Sequence, residues 1–261
     1  MSAAGSAIWL PDWPAPPGVH ACVTLRHGAG VSAAPYDHFN LGARCGDVEA
    51  SVEHNRATLR DIAGLPDEPC WLQQVHGSRV VEVDAAMAGR ARAPLDSVAE
   101  ADAAVTGDAD VVLAVLTADC LPVLFCADDG RRLAVAHAGW RGLANGVLEA
   151  TVAAMGVRAD QILAWLGPAA GPQAYEVGDE VREALMGHSL AVGEAFRPTR
   201  AGHWLCDLYL IARLRLLKLG VGHVVGGQAC TISQPDLFFS YRRTGATGRM
   251  ATLIWRNDGE A

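Results

Sequence analysis

Three apolar runs in the middle of the chain, Val111–Thr117, Pro122–Ala127 and Arg132–Ala136, constrain the fold more than any other feature. A strand with one wet face alternates polar and apolar residues, whereas a short, near-continuous apolar run belongs to a strand covered on both faces. Such strands need covering layers, and amphipathic segments around them supply helices. Asp47 reads as the N-cap of a helix running to about Ala63, with Val48, Val52, Leu59 and Ile62 on one face and Gly64 closing it. Further helices are expected over Leu143–Met155, near Asp179–Met186, and over Leu208–Leu219 between Asp207 and Gly220. His20–Arg26, Ile162–Leu166 and Val224-Val225 read as strands. Trp71–Gln74 and Arg79–Val83 read as two strands joined through the His76-Gly77 turn, and Phe238–Arg242 with Arg249–Trp255 as a hairpin across Thr244–Thr247. Ala88–Glu100, polar and proline-containing, reads as a mobile loop. No linker or charge block divides the chain, so the pattern predicts one mixed α/β or α+β domain over residues 1–261, built on a mixed sheet.

Composition removes several classes of function. A chain of 261 residues buries about three-quarters of its unfolded surface on folding, so a real core is available. A hydrophobic fraction of 51% against 19% charged excludes a disordered chain. The net charge of −8, without a basic stripe, argues against nucleic acid as partner. The longest apolar stretch, Val111–Ala127, contains Asp119 and Pro122 and does not suit a bilayer span, and no secretory signal is visible at Met1–Leu10. Seven cysteines, odd in number, widely spaced and without a CxxC, predict reduced thiols in a cytoplasm. Lys218 is the single lysine, so the cations are guanidinium forks suited to carboxylate or phosphate; a compositional bias toward Ala and Arg explains this equally well.

Among nine histidines, two stand out by placement. His76 follows an apolar strand in WLQQVHG, and His137 ends LAVAH before a Gly-rich turn. Cys120 likewise ends the run VVLAVLTADC, beside Asp119. Three soft or borderline ligands at strand ends are what a catalytic zinc site needs: three protein donors and one open position. Their separations, 44 and 17 residues, match no short metal motif. Two alternatives stay open on the residues alone: a buried, inert cysteine with two unrelated histidines, or a Cys120 nucleophile with His137 as its base, as in cysteine hydrolases.

The strings TLRHGAGVSAAPYDHFNLG, WLQQVHGSRVV, ADAAVT, LAVLTADCLPVLF, VAHAGWRGLANGVLEATV, WLGPAAGPQAYEVGDEV and FFSYRR…GRMATLIW resemble a bacterial family. That family, long labelled polyphenol oxidase or laccase-domain protein, is now described as a zinc-dependent purine nucleoside phosphorylase with adenosine deaminase activity. The likeness runs from about residue 20 to 256, leaving residues 1–19 as a partly flexible lead-in. It implies a layered α/β/β/α sandwich with mixed sheets, similar to the catalytic domain of cytotoxic necrotizing factor toxins. It implies His76, Cys120 and His137 as metal ligands, and Asn40, Arg56 (with Asn55), Gln74, Arg141 and Tyr175 as residues lining or approaching the substrate pocket. Adenosine, inosine, guanosine and methylthioadenosine, with phosphate, would be the small-molecule partners of a cytoplasmic monomer or weak oligomer that needs neither nucleic acid nor membrane.

The oxidase label makes its own demand. Multicopper catalysis needs many paired histidines on all-β sandwiches, and the chain has no His-X-His pair. Zn²⁺ is the metal that the resemblance implies, with Cu²⁺ as an alternative or adventitious occupant because copper binds such donors more tightly. Arg141, near an expected helix N-terminus, would hold phosphate through its guanidinium and the helix dipole. Asp119 is the nearest proton shuttle, or equally an orienting carboxylate. Cys126 reads as core, Arg242-Arg243 as a solvated hairpin pair ahead of a phosphate contact, and Trp140 either as packing or as a purine-stacking surface.

Overall fold

The apolar central strands alternate their side chains between two different cores. Along Leu121–Ala127, the residues Leu121, Val123, Phe125 and Ala127 face one buried cluster, and Leu124 and Cys126 face another. Leu133–Ala138 divides in the same way, with Ala134, Ala136 and Ala138 against Leu133 and Val135. Both faces are dry, which is why the pattern is apolar throughout rather than alternating. Truncation of a filled position such as Leu124 to alanine leaves a void that costs about 2–5 kcal/mol.

The structure, a computed structural model, describes residues 6–88, 99–187 and 190–257. Two sheets carry the architecture. The larger runs in the order His223–Gly226, Ile162–Leu166, Leu121–Ala127, Leu133–Ala138, Ala103–Thr106, Val80–Glu82. It is antiparallel at its centre and parallel at each edge pair. The smaller is antiparallel and runs Ile8–Trp9, Val19–Thr24, Met250–Arg256, Leu113–Thr117. Val23, Leu113, Val115 and Ile254 of the smaller sheet pack against Leu124, Val135 and Trp165 of the larger. The outer face of the larger sheet is covered by helices Val147–Ala154 and Leu208–Leu219, and that of the smaller by helix Glu49–Ala63 through Leu59. Helix, sheet, sheet and helix thus form four layers, as expected. Among the described residues, no helix is long and apolar enough to cross a membrane.

Several local expectations change, each for a physical reason. Asp47 does not cap the helix, which begins at Glu49 after an uncapped Val48. Its carboxylate accepts hydrogen bonds from Ser32 Oγ at 2.6 Å and Asn40 Nδ2 at 2.8 Å instead, tying down the preceding loop. Val48 and Ile62 are exposed, and the inward face is Val52, Asn55, Arg56 and Leu59, half of it polar because it holds that loop. The helix expected over Leu143–Met155 starts earlier and is two helices, Trp140–Ala144 and Val147–Ala154, broken at Gly146 in the left-handed region (φ 84°). Leu72–Gln73 pairs with Ala99–Glu100 rather than with its successor, so the His76 turn carries the chain from that ribbon into the larger sheet. The mobile loop expected over Ala88–Glu100 falls largely on residues 89–98, outside the described residues. Within the lead-in, Ile8–Trp9 is a strand and Ala7 is buried. The final hairpin does not form. Ser240 instead caps a short helix, Tyr241–Thr244, its Oγ accepting from the Arg243 N–H, and Met250–Arg256 pairs with Val19–Thr24 and Leu113–Thr117.

Candidate metal centre

Strand register brings Cys120 to His137. Leu121 pairs with Ala138 and Pro122 with His137, so the residue just before Leu121 lies beside that strand. Cys120 also follows Leu113–Thr117 of the smaller sheet, and therefore sits where the chain passes between layers. His76 occupies the other crossing. Its backbone lies in the left-handed region (φ 62°), as does that of Asp119 (φ 94°), conformations that non-glycine residues adopt only when their surroundings hold them.

The three donor atoms lie within 4.8 Å of one another, and the His76 and His137 rings meet edge to face with centroids 4.8 Å apart. His137 is buried, Cys120 partly so, and His76 exposed, so the cluster opens on one side. Among the described residues this is the one group of His, Cys, Asp or Glu able to hold a metal ion. The backbone leaves little slack around it, since a methyl group at Gly139 would lie 2.6 Å from Cys120 Sγ. One thiolate and two imidazoles with an open side fit a catalytic zinc, and the same donors accept copper.

Asp102 was not singled out by the sequence reading, yet it organises the centre. Its carboxylate receives His137 Nδ1 at 2.8 Å and the backbone N–H groups of Val75, His76 and Gly77 at 3.1, 2.9 and 2.7 Å. Its signal was a lone carboxylate entering the otherwise apolar strand of ADAAVT. Burial opposes its ionisation, but His137 and the Gly77 and Val75 amides outweigh that and hold the carboxyl below the usual range. Burial likewise opposes a charged Cys120, but His137 and His76 draw the thiol down to about 6. His137 moves the other way, to about 9, because Cys120 and Asp102 overcome its burial. Without metal the pair is thus a thiolate–imidazolium couple.

The cluster opens into a cavity of about 520 Å³. Five arginines line it, Arg44, Arg56, Arg141, Arg242 and Arg249, with Asp119 as the only carboxylate among the lining residues. In a chain of net charge −8, this concentrates cations at one place. Of the residues expected near substrate, Arg56, Gln74, Arg141 and Tyr175 line the cavity, and Asn40 lies behind its wall. Asn40 Oδ1 accepts from the N–H groups of Gly42 and Arg249 at 2.9 and 2.8 Å, fixing the segments that carry those cations. Gln74 spends its amide on the backbone of Leu116, both bonds at 2.8 Å. Arg56 is buried over the Trp71 ring, 4.0 Å from its centroid, and donates to Leu41 O; burial lowers its pKa to about 10. Arg141 is exposed over Trp140, in a helix of only five residues, so its guanidinium rather than a helix dipole faces the cavity. Arg242 is not a free solvated cation, since it covers the Tyr175 ring and donates to Glu176 O. Both oxygens of Asp119 are engaged, by Thr231 Oγ1 and the Arg242 N–H, each at 2.6 Å.

Residues 20–257 match the family described as multi-copper polyphenol oxidoreductase laccase. The chain belongs to this family. Among its laccase-family relatives, a protein of Xylella fastidiosa (strain 9a5c) named purine nucleoside phosphorylase is 51% identical over 255 residues, covering 96% of this chain and 97% of its own. Purine nucleoside phosphorylase YfiH of Escherichia coli (strain K12) is 48% identical, covering 96% and 99% respectively. The crystal structure of a Neisseria meningitidis protein superposes with a TM-score of 0.89 at 45% identity, covering 97% of this chain and 100% of that one. YlmD from Geobacillus stearothermophilus gives 0.85 at 33% identity, covering 92% and 93%.

Proposed function

We propose that the protein is a zinc-dependent purine nucleoside phosphorylase, acting on adenosine, inosine, guanosine and methylthioadenosine, with adenosine deaminase as a second activity. The observation that carries this reading is the convergence of His76, Cys120 and His137 at the end of a cavity lined by five arginines. The names of the relatives point the same way. A cavity of about 520 Å³ lies within the ordinary range for small-molecule ligands. Zinc held by the three donors would supply Lewis-acid charge for phosphorolysis and activation of water for deamination.

The protein's own groups do the rest. Phosphorolysis breaks the bond from C1′ to the purine nitrogen and joins C1′ to a phosphate oxygen, so an oxyanion must be held against a sugar that develops positive charge. Arg141 and Arg242 are placed to hold it as guanidinium forks. Trp140 and Tyr175 lie under these two guanidinium groups and fix them at the cavity wall. Asp119 fixes the Arg242 backbone, and we assign it that orienting role ahead of proton transfer. The seven free thiols suit a cytoplasmic enzyme working as a single catalytic domain.

A second reading rests on one specific arrangement: Asp102, His137 and Cys120 in sequence form the orienter, base and nucleophile of a cysteine hydrolase. Occupancy separates the two. Protein purified without added metal, beside His76→Ala, Cys120→Ala and His137→Ala, should contain stoichiometric zinc in the parent alone and convert inosine and phosphate to hypoxanthine and ribose 1-phosphate. Stoichiometric copper with phenol oxidation would favour the oxidase reading. Phosphate-independent hydrolysis in chelated protein, abolished by alkylation of Cys120, would favour the hydrolase.

A further inference from the structure

We infer that Asp102 is the positioning residue that pre-forms the metal centre, one carboxylate setting the geometry of two ligands from separate parts of the chain. The inference rests on the reading of His76, Cys120 and His137 as metal ligands. Asp102 is fully buried immediately before the strand Ala103–Thr106. An ionised carboxylate has about four acceptor sites, and all are used: Oδ1 by His76 N and His137 Nδ1, Oδ2 by Val75 N and Gly77 N.

Two consequences follow from that saturation. First, a carboxylate only accepts, so Nδ1 of His137 must be the donor and the Nε2 lone pair is left for a metal. Second, three consecutive N–H groups are drawn toward one carboxylate, which holds His76 in the left-handed region at φ 62°. For an ordinary L-residue that conformation is strained, so the turn needs a counterweight, and the imidazole reaches the cluster because it has one.

Replacement by asparagine has no neutral orientation. With its amide nitrogen in the place of Oδ2, an NH₂ group confronts the N–H groups of Val75 and Gly77. With it in the place of Oδ1, it confronts the N–H of His76 and donates to His137 Nδ1, which favours the tautomer whose Nε2 is protonated and unable to bind metal.

The test uses the full chain with zinc alone as the probe, in competition with a chelator. Asp102→Asn should weaken zinc binding about 10–100-fold. Val105→Ala, a buried apolar truncation on the same strand, should lower thermal stability yet leave zinc affinity as in the parent. In chelated protein, hydrogen exchange at the amides of Val75, His76 and Gly77 should be faster in Asp102→Asn than in the parent. Unchanged zinc affinity, or unchanged exchange at those amides, overturns the inference. If the parent binds no zinc, the metal reading itself fails, and the exchange arm alone then decides whether Asp102 holds the turn. Should Asp102→Asn not fold, Asp102→Glu, which keeps the charge but displaces it by one methylene, takes its place in both measurements.

Discussion

Gly139→Ala isolates the geometry of the centre from the stability of the fold. At this position φ is −64° and ψ 169°, an extended conformation that alanine adopts without strain. Restricting the unfolded chain should therefore stabilise the protein by about 0.4–1 kcal/mol, were space the only other consideration. Space is lacking at one atom. The new methyl would lie 2.6 Å from Cys120 Sγ, with Cys120 Cβ next at 3.4 Å. Ordinary contact needs about 3.5 Å or more, so the sulfur must move by about 1 Å. Metal–ligand distances tolerate deviations of about 0.2 Å, so the displaced thiolate no longer shares an ion with His76 and His137. We expect zinc affinity to fall at least about 100-fold, equivalent to about 2.7 kcal/mol. Chelated Gly139→Ala should melt at or near the temperature of the chelated parent, because a shift of about 1 Å at one sulfur loosens its pairing with His137 but leaves the buried apolar clusters as they are. The assay is chelator competition for zinc, paired with thermal unfolding with and without chelator. Parent-like zinc affinity in Gly139→Ala would refute the reasoning, and so would a large loss of stability in the chelated variant.

Three other substitutions or conditions test separate parts of the site. Arg141→Ala, at an exposed position, should raise KM for phosphate about tenfold by removing a charge-assisted contact, while stability measured by urea unfolding stays within about 0.5 kcal/mol. Arg56→Met should instead destabilise the fold by about 1–3 kcal/mol in the same measurement, because Leu41 O loses its buried donors. In chelated protein, alkylation of Cys120 by iodoacetamide should rise through about pH 6, where an ordinary thiol is still protonated, and zinc should suppress it. The direction follows from the lowered thiol: above that pH the folded protein holds the thiolate, and below it the proton returns. A midpoint near that of free cysteine would contradict the thiolate–imidazolium couple.

Much of this was legible in the chain because covered strands announce themselves. The apolar runs at Val111–Thr117 and Pro122–Ala127 place two strands within a residue or two of their observed bounds, and Gly64 and Gly220 end helices in the left-handed conformation their positions suggest. The three donors that the fold brings together were legible as strand-end residues and by resemblance, although no local spacing joins them. What failed did so where side chains bind across the fold. Asp47 looked like a cap by its neighbours and was taken by Ser32 and Asn40. The segment after Phe238 looked like a strand by its aromatics and turned into a helix once Ser240 capped it and Asp119 captured the Arg242 N–H. Asp102 carries no motif of its own, since its partners are backbone amides and a histidine 35 residues away. Arg44 and Arg249 were equally silent, as the cavity that gathers them exists only after the layers close.

Cys120 stands where the polypeptide leaves one sheet for the other, His76 where a small ribbon hands over to the larger sheet, and His137 within that sheet itself. The bite of the three donors is thus a property of interlayer spacing rather than of any single loop. An ion seated there would act as a rivet through the sandwich, and the jigsaw of Leu124, Val135 and Leu113 between the sheets becomes a remote adjustment screw for it. Drift in that hidden filling, silent in a surface assay of shape, would alter the spacing of the three donors.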